Sequence, residues 1–188
     1  MDMLIKHFKH FLVITICCLL VFHLTANANE SDFTLKVKRG NGLLLLDVQV
    51  DAPSAVMTLQ GVKSRQLVIK LAPTHGRWLV SSLPKGEYQI MNVKVPYFDL
   101  PYVNSTEKDP RWRIKIEPGQ LNYIGRIEVE RERTENYVAI RKHNRLVADL
   151  SHIRKDLADI LADYPLTDGG YLRDDFIEQL LNGGLSHD

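Results

Sequence analysis

A mainly β chain is predicted: an antiparallel β-sandwich of about seven to eight strands, followed by two C-terminal α-helices. Two observations carry the prediction. Over residues 33–141 apolar and polar residues alternate with period two, and turn-forming residues punctuate the pattern. From Leu146 the period changes to that of a helix, with Leu150, Ile153, Leu157 and Ile160 following at steps of four, three, four and three.

Before the sandwich, residues 1–28 have the layout of a secretory signal. Lys6, His7, Lys9 and His10 form a basic start, residues 11–24 are apolar, and Thr25-Ala26-Asn27-Ala28 offers small residues for cleavage after Ala28. The apolar run falls short of the roughly 20 residues a membrane span needs, and His23 interrupts it. Cleavage is therefore expected, with no stable membrane insertion afterwards and a periplasmic, cell-envelope or secreted destination. Both cysteines, Cys17 and Cys18, lie inside this segment. Ile16 stands where a lipid-attachment site wants a small residue. The mature chain is thus expected to hold together by packing alone, without disulfides. Cleavage removes Lys6, Lys9 and Asp2, so Lys plus Arg falls from 24 to 22, Asp plus Glu from 23 to 22, and the formal charge becomes zero. A balanced chain has no electrostatic footprint for nucleic acid.

The strands follow in order. Phe33, Leu35 and Val37 alternate with Thr34, Lys36 and Lys38 before a turn at Gly40-Asn41-Gly42. Leu44, Leu46, Val48 and Val50 follow, with Asp47 and Gln49 between them. Further strands are expected over 55–59 and 67–71. In the next, Trp78 and Val80 share a face opposite Arg77 and Leu79, and Pro84-Lys85-Gly86 reverses the chain. Tyr88 and Ile90 then face away from Gln89, Met91 and Val93. Trp112, Ile114 and Ile116 alternate with Arg111, Arg113, Lys115 and Glu117. A type II turn is expected at Pro118-Gly119. Its return strand sets Leu121, Tyr123, Ile127 and Val129 on one face, with Gly125 marking a bulge or a close approach. A last strand is expected over 137–140.

The helical part starts after Asn144, a suitable cap, and stops at Tyr164-Pro165. Thr167-Asp168-Gly169-Gly170 reads as a loop. A second helix carries Leu172, Phe176 and Leu180 and ends at Asn182-Gly183-Gly184. The domain organisation is therefore 1–28 signal, 29–142 sandwich and 143–188 helical appendage, docked on the sandwich or on a partner.

Thr74-His75-Gly76-Arg77-Trp78, then Leu83-Pro84-Lys85-Gly86-Glu87-Tyr88 and Val93, resembles the signature of carboxypeptidase regulatory-like domains, which are prealbumin-like β-sandwiches. The stretch Asp51-Ala52-Pro53-Ser54-Ala55-Val56-Met57-Thr58-Leu59 is similar to the family's preceding strand. The likeness covers residues 45–95. His75 departs from the acidic residue usual there, and the hairpin and helices after residue 95 fall outside the pattern. The resemblance implies a non-catalytic module that accompanies other proteins as a folding or interaction unit.

Candidate chemistry is sparse. His152 and Asp156 stand one helical turn apart near Asp159, yet Asp149 and Asp163 spread acid around the same helix, as a solvated surface does. The stretch 163–169 lacks the alternate ligands of a calcium loop. Ser81 and Ser82 have no nucleophile elbow, and His75 stands in a loop next to glycine, where a histidine is usually just exposed. Glu128, Glu130 and Glu132 alternate with Val129, Arg131 and Arg133 after Arg126, which suits cross-strand charge pairs on a wet face. No catalytic residue, metal ligand or cofactor is assigned. Two Pro-Tyr pairs in Val95-Pro96-Tyr97-Phe98-Asp99-Leu100-Pro101-Tyr102 exclude a central strand and point to an extended or looped connection. Tyr97, Phe98 and Tyr102, with Trp112 shortly after, are the candidate contacts for a protein or envelope glycan. The function expected is an exported, non-enzymatic binding or accessory module. The alternatives are an envelope hydrolase using carboxylates or a histidine-based metal, and a structural oligomer joined through the C-terminal helices.

Overall fold

A computed structural model describes residues 37–50, 55–61, 66–97, 100–131, 138–170, 175–181 and 183. The expected strand at Phe33 and Leu35 and the signal segment lie outside the described residues, as does Leu172.

Two sheets form a β-sandwich. The first contains β1 (Asn41–Val50), β4 (Trp78–Pro84), β8 (Leu121–Arg131), β9 (Val138–His143) and β10 (Leu166–Asp168). Its order is β10-β8-β1-β4, with β9 pairing the later half of β8. The second contains β2 (Val56–Gly61), β3 (Gln66–Lys70), β5 (Gly86–Tyr97), β6 (Leu100–Ser105) and β7 (Arg113–Ile116). Its order is β3-β2-β5-β6, with β7 pairing the first residues of β5. The second sheet is antiparallel throughout. The first is mixed, because β8 runs parallel to both β1 and β10.

Both proline-glycine turns read in the sequence are corners between sheets rather than hairpins. Pro84-Lys85-Gly86 carries the chain from β4 to β5, and Pro118-Gly119 carries it from β7 to β8. Turn residues specify a reversal but not which neighbour the returning strand adopts. The corners lie side by side: Lys85 N donates to Gly40 O at 3.3 Å and Gly119 N to Asn41 O at 3.0 Å. Tyr88 Oη closes the first by donating to Pro84 O at 2.7 Å. Asn122 braces the second, accepting from Glu117 N at 2.8 Å and donating to Leu43 O at 3.0 Å.

The core between the sheets is built from alternate residues: Leu44, Leu46 and Val48 of β1 meet Met57, Leu59, Ile90, Val93 and Ile114 across the gap. Two bulges revise the faces read from strict alternation. On β5, Thr58 pairs Asn92 but Leu59 pairs Ile90, so Met91 is an extra residue and Val93 returns to the face of Tyr88 and Ile90. On β8, Tyr123 pairs Leu45 and Arg126 pairs Asp47. The bulge sits at Gly125 and divides the expected row: Ile127 and Val129 enter the inter-sheet core, whereas Leu121 and Tyr123 do not. Gly125 has φ of 111°, and a Cβ there would lie 2.4 Å from His143 O, so the bulge and the close approach coincide.

Strand β1 is buried on both faces, from Leu43 through Val48. One side of the first sheet faces the core; the other carries Leu43, Leu45, Asp47, Trp78 and Tyr123 beneath helix α1 (Leu146–Asp156). The cap position is held by Arg145, with no side-chain cap bond, and the expected cap Asn144, one residue earlier, accepts the Leu146 N–H at Oδ1 at 3.1 Å. The helix's apolar stripe of Leu146, Leu150, Ile153 and Leu157 is buried within this chain, each such side chain contributing about 1.5–3 kcal/mol. Leu157, at φ −124° and ψ 29°, interrupts the helix, and α2 (Ala158–Asp163) resumes it. Tyr164 is extended before Pro165, as a residue preceding proline should be.

The segment read as a loop at 167–170 is a seam. Strand β10 pairs with Leu121–Tyr123, Gly169 N donates to Tyr123 O at 2.8 Å, and Lys115 N donates to Gly169 O at 2.9 Å. One short extended segment thereby joins β8 of the first sheet to β7 of the second. Helix α3 (Asp175–Leu181) buries Ile177 and leaves Phe176 51% exposed, so its inner face differs from the one expected. Two helical turns are too few for four-residue spacing alone to choose between neighbouring stripes.

Candidate functional site

A net-neutral group of four charges lies between the first sheet and α1. Asp47, midway along β1, is fully buried, and Asp149, in the first turn of α1, is 2% exposed. Arg77 reaches them from the turn before β4, where Gly76 takes φ of 57°. It donates from Nε to Asp47 Oδ1 at 3.1 Å, from Nη2 to Asp47 Oδ2, and from Nη2 to Asp149 Oδ1 at 3.0 Å. Arg126 enters from β8, directly opposite Asp47 in the parallel register, and its Nε donates to Asp47 Oδ2 at 2.5 Å. The β8 bulge puts Arg126 on this face. Tyr123 completes the group, its hydroxyl donating to Asp149 Oδ2 at 2.8 Å.

The carboxylates strengthen the protonated forms of the groups that donate to them. Hydrogen bonding to Asp47 holds the Arg77 guanidinium above its ordinary range. Burial acts against the Arg126 cation, but Asp47 and Asp149 more than offset it, so that group is raised as well. Burial, followed by the bond to Asp149, pushes the Tyr123 phenol up. Trp78 extends the contact along the helix: its Nε1–H donates to Asp156 Oδ2 at 3.0 Å, and the Arg77 guanidinium lies 4.6 Å from its ring centroid.

Chemically this group is a clamp. Each carboxylate is engaged by at least two donors, Asp47 has no solvent contact, and Arg77 is the most exposed of the four, its side chain 34% exposed against 10% for Arg126. At the rim, Glu128 lies 3.5 Å from Arg126 and 3.4 Å from His143 Nε2. The expected wet face is therefore split: Arg126 is buried, while Glu130 and Arg141 form the exposed pair. On α1 and α2, His152 and Asp159 are exposed and Asp156 is engaged by Trp78. Among the described residues no three metal-ligating side chains converge.

The aromatic stretch is a hairpin rather than a loop. Tyr97 pairs Leu100, Pro96 pairs Pro101 and Val95 pairs Tyr102. Phe98 lies outside the described residues. Because β2 reaches only to Lys94 on β5, residues 95–97 pair with β6 alone among the described strands. Trp112 stands apart from them, in a 3₁₀ turn that Asp109 caps, and it is 7% exposed in the inter-sheet core. An open depression of about 490 Å³ follows β6, lined by residues 105–110. Its polar groups serve the fold: Gln89 Nε2 donates to Thr106 O at 2.9 Å and to Asp109 O at 3.2 Å.

The clamp residues were not candidates in the sequence reading. One signal was present: Asp47 stands in Leu43-Leu44-Leu45-Leu46-Asp47-Val48, a run apolar on both strand faces. Such a run belongs to a strand covered on both sides, and an acid within it needs a cation. No described helix is long and apolar enough to cross a membrane. Comparison with family models, curated proteins and solved structures finds no match to this chain.

Proposed function

We propose that the chain is an exported, non-enzymatic accessory module of the periplasm or cell envelope, and that it binds a protein or glycan partner through the β5–β6 hairpin. The observation that carries this reading is the β5–β6 register, Tyr97 opposite Leu100 and Tyr102 opposite Val95, which sets both tyrosine positions on a hairpin end that pairs with no other strand among the described residues. Tyrosine on a rigid scaffold gives large contact area at low entropic cost, for a sugar ring or a protein surface. The ionisable residues that do converge, Asp47, Asp149, Arg77 and Arg126, are committed to one another, which favours binding over turnover. The likeness of residues 74–88 to regulatory-like domains points the same way.

A glycan array, with titration calorimetry on soluble envelope glycan fragments and site-specific photocrosslinking at position 97 in cells, tests the reading. Binding that the paired substitutions Tyr97→Ala and Tyr102→Ala reduce at least tenfold, with the unfolding midpoint retained, is the expected result. Binding indifferent to both substitutions contradicts the hairpin assignment. Turnover of a glycan or peptide that one Asp or Glu substitution abolishes replaces the module with a hydrolase.

A further inference from the structure

The free edges of the two sheets are not alike. Along β4, Thr74 Oγ1 accepts the Val80 N–H at 2.9 Å, Trp78 O accepts from Thr74 N at 2.7 Å and His75 N at 2.9 Å, and Pro84 has no N–H to offer. Strand β6 carries Pro101, and β9 carries Arg141, Lys142 and His143. These are the usual defences against strand addition. Strand β3 has neither proline nor a capping side chain, its one charge, Lys70, stands at its end, and its outer side pairs with no other strand among the described residues.

The ladder fixes which groups that edge presents. Leu71 N donates to Ala55 O at 2.8 Å, one step beyond the pair Val56 and Lys70. Bonded and non-bonded pairs alternate in an antiparallel ladder, so Ile69 and Leu67 point their backbone groups at β2, whereas Lys70, Val68 and Gln66 point theirs outward. Lys70 O already accepts from Ala72 N at 3.0 Å. The N–H and C=O of Val68, the N–H of Lys70 and the N–H and C=O of Gln66 remain on the open side. The Val68 side chain is 68% exposed, the most exposed of the large hydrophobic residues described.

We propose that β3 pairs antiparallel with β3 of a second copy of this chain, about a two-fold axis through Val68. The sequence Gln66-Leu67-Val68-Ile69-Lys70 is self-complementary in that register. Val68 faces its own counterpart and exchanges both backbone bonds with it. Each Lys70 N–H donates to the partner's Gln66 carbonyl. Leu67 lies opposite the partner's Ile69 on the core side, and Gln66 opposite the partner's Lys70 on the outer side, so no like charges meet. The two second sheets become one continuous sheet, and the pairing is isologous and closed. A five-residue seam is at the small end of specific interfaces, so the association is reversible, with a dissociation constant on the order of micromolar.

Sedimentation velocity of the full chain, as the cell processes it, over micromolar to submillimolar concentration tests this. A monomer–dimer equilibrium is expected, and Val68→Lys, which sets two ammonium groups face to face, weakens it at least tenfold with an unchanged unfolding midpoint. Val147→Lys, on an exposed part of α1, leaves it unchanged. Register is read by oxidation in a Cys17→Ser, Cys18→Ser background: Val68→Cys cross-links with itself, Lys70→Cys alone does not, and a mixture of Gln66→Cys and Lys70→Cys chains does. A monomer at every concentration, a dimer indifferent to Val68→Lys, or cross-linking in another register overturns the proposal. So does a chain that stays monomeric and takes an unrelated extended peptide on this edge.

Discussion

The hydroxyl of Tyr123 donates to Asp149 Oδ2 at 2.8 Å, joining the middle of β8 to the first turn of α1. Both groups are buried, and Arg77 and Arg126 make the same helix a continuation of the sheet's ionic network. Helix α1 is thus a third layer on the first sheet.

Removing one charge from that network leaves another buried and unpaired. Asp47→Ala leaves the Arg77 and Arg126 guanidiniums to share the one buried carboxylate of Asp149 and is expected to cost about 3–5 kcal/mol in urea unfolding. Replacing Asp47 and Arg126 together by leucine is expected to cost less than the sum of the single changes, because apolar groups can substitute for a buried pair. Strict additivity contradicts the assigned pairing.

Tyr123 gives the chain an alkaline limit. Its proton is held above the ordinary value of 10.0 by burial and by Asp149, so the folded chain keeps a proton that the unfolded chain releases. Stability therefore falls as pH rises beyond about 10. Lys142 acts oppositely, since burial lowers its ammonium and the unfolded chain binds the proton better below 10.5. Comparing Tyr123→Phe with the parent removes the Lys142 contribution. The variant is expected to be less stable at neutral pH by about 1–3 kcal/mol and to lose less of its stability between pH 9 and 11. Parallel pH profiles of the unfolding midpoint contradict this.

Gly125 and Gly169 are among the glycines that hold close approaches. A Cβ at Gly125 would meet His143 O at 2.4 Å with φ at 111°, and one at Gly169 would lie about 3 Å from Ile124, Asn122 and Lys115 O. Gly125→Ala is expected to cost about 3 kcal/mol or more, from backbone strain and overpacking together. Gly169→Ala should cost less, because side chains supply two of its three contacts. Calorimetry orders the two, and equal midpoints with the parent contradict both.

The architecture was legible where the physics is local. Alternation from Leu44 to Val129 and the stripe from Leu146 to Leu157 predict the strands and the first helix, because burial of one face imposes its period on the residues. Phase was not legible across bulges: Met91 gives no local sign, and Gly125 marks a bulge or a close approach without fixing which neighbours change face, which the partner's register reveals. Sheet membership was hidden too, since a proline-glycine corner looks alike whether its strands pair or part. The clamp escaped because Arg77, Arg126 and Asp149 are ordinary surface residues in local sequence; only the stacking of α1 on the first sheet brings them to Asp47. The aromatic stretch gave the reverse case: its prolines speak against a central strand, yet Pro96 lies near the end of β5, an interior strand, at positions where β6 alone among the described strands pairs with it.

Hydrogen exchange of the α1 amides, followed at single-residue resolution in native buffer, tests the third-layer account most directly. Amides of Leu150, Ile153 and Leu157 are expected to exchange only through global unfolding, with the same opening free energy as Leu44 and Ile127 in the sheet, and Asp149→Ala is expected to lower protection in both places together. Exchange of the helix within minutes while the sheet stays protected would contradict the account.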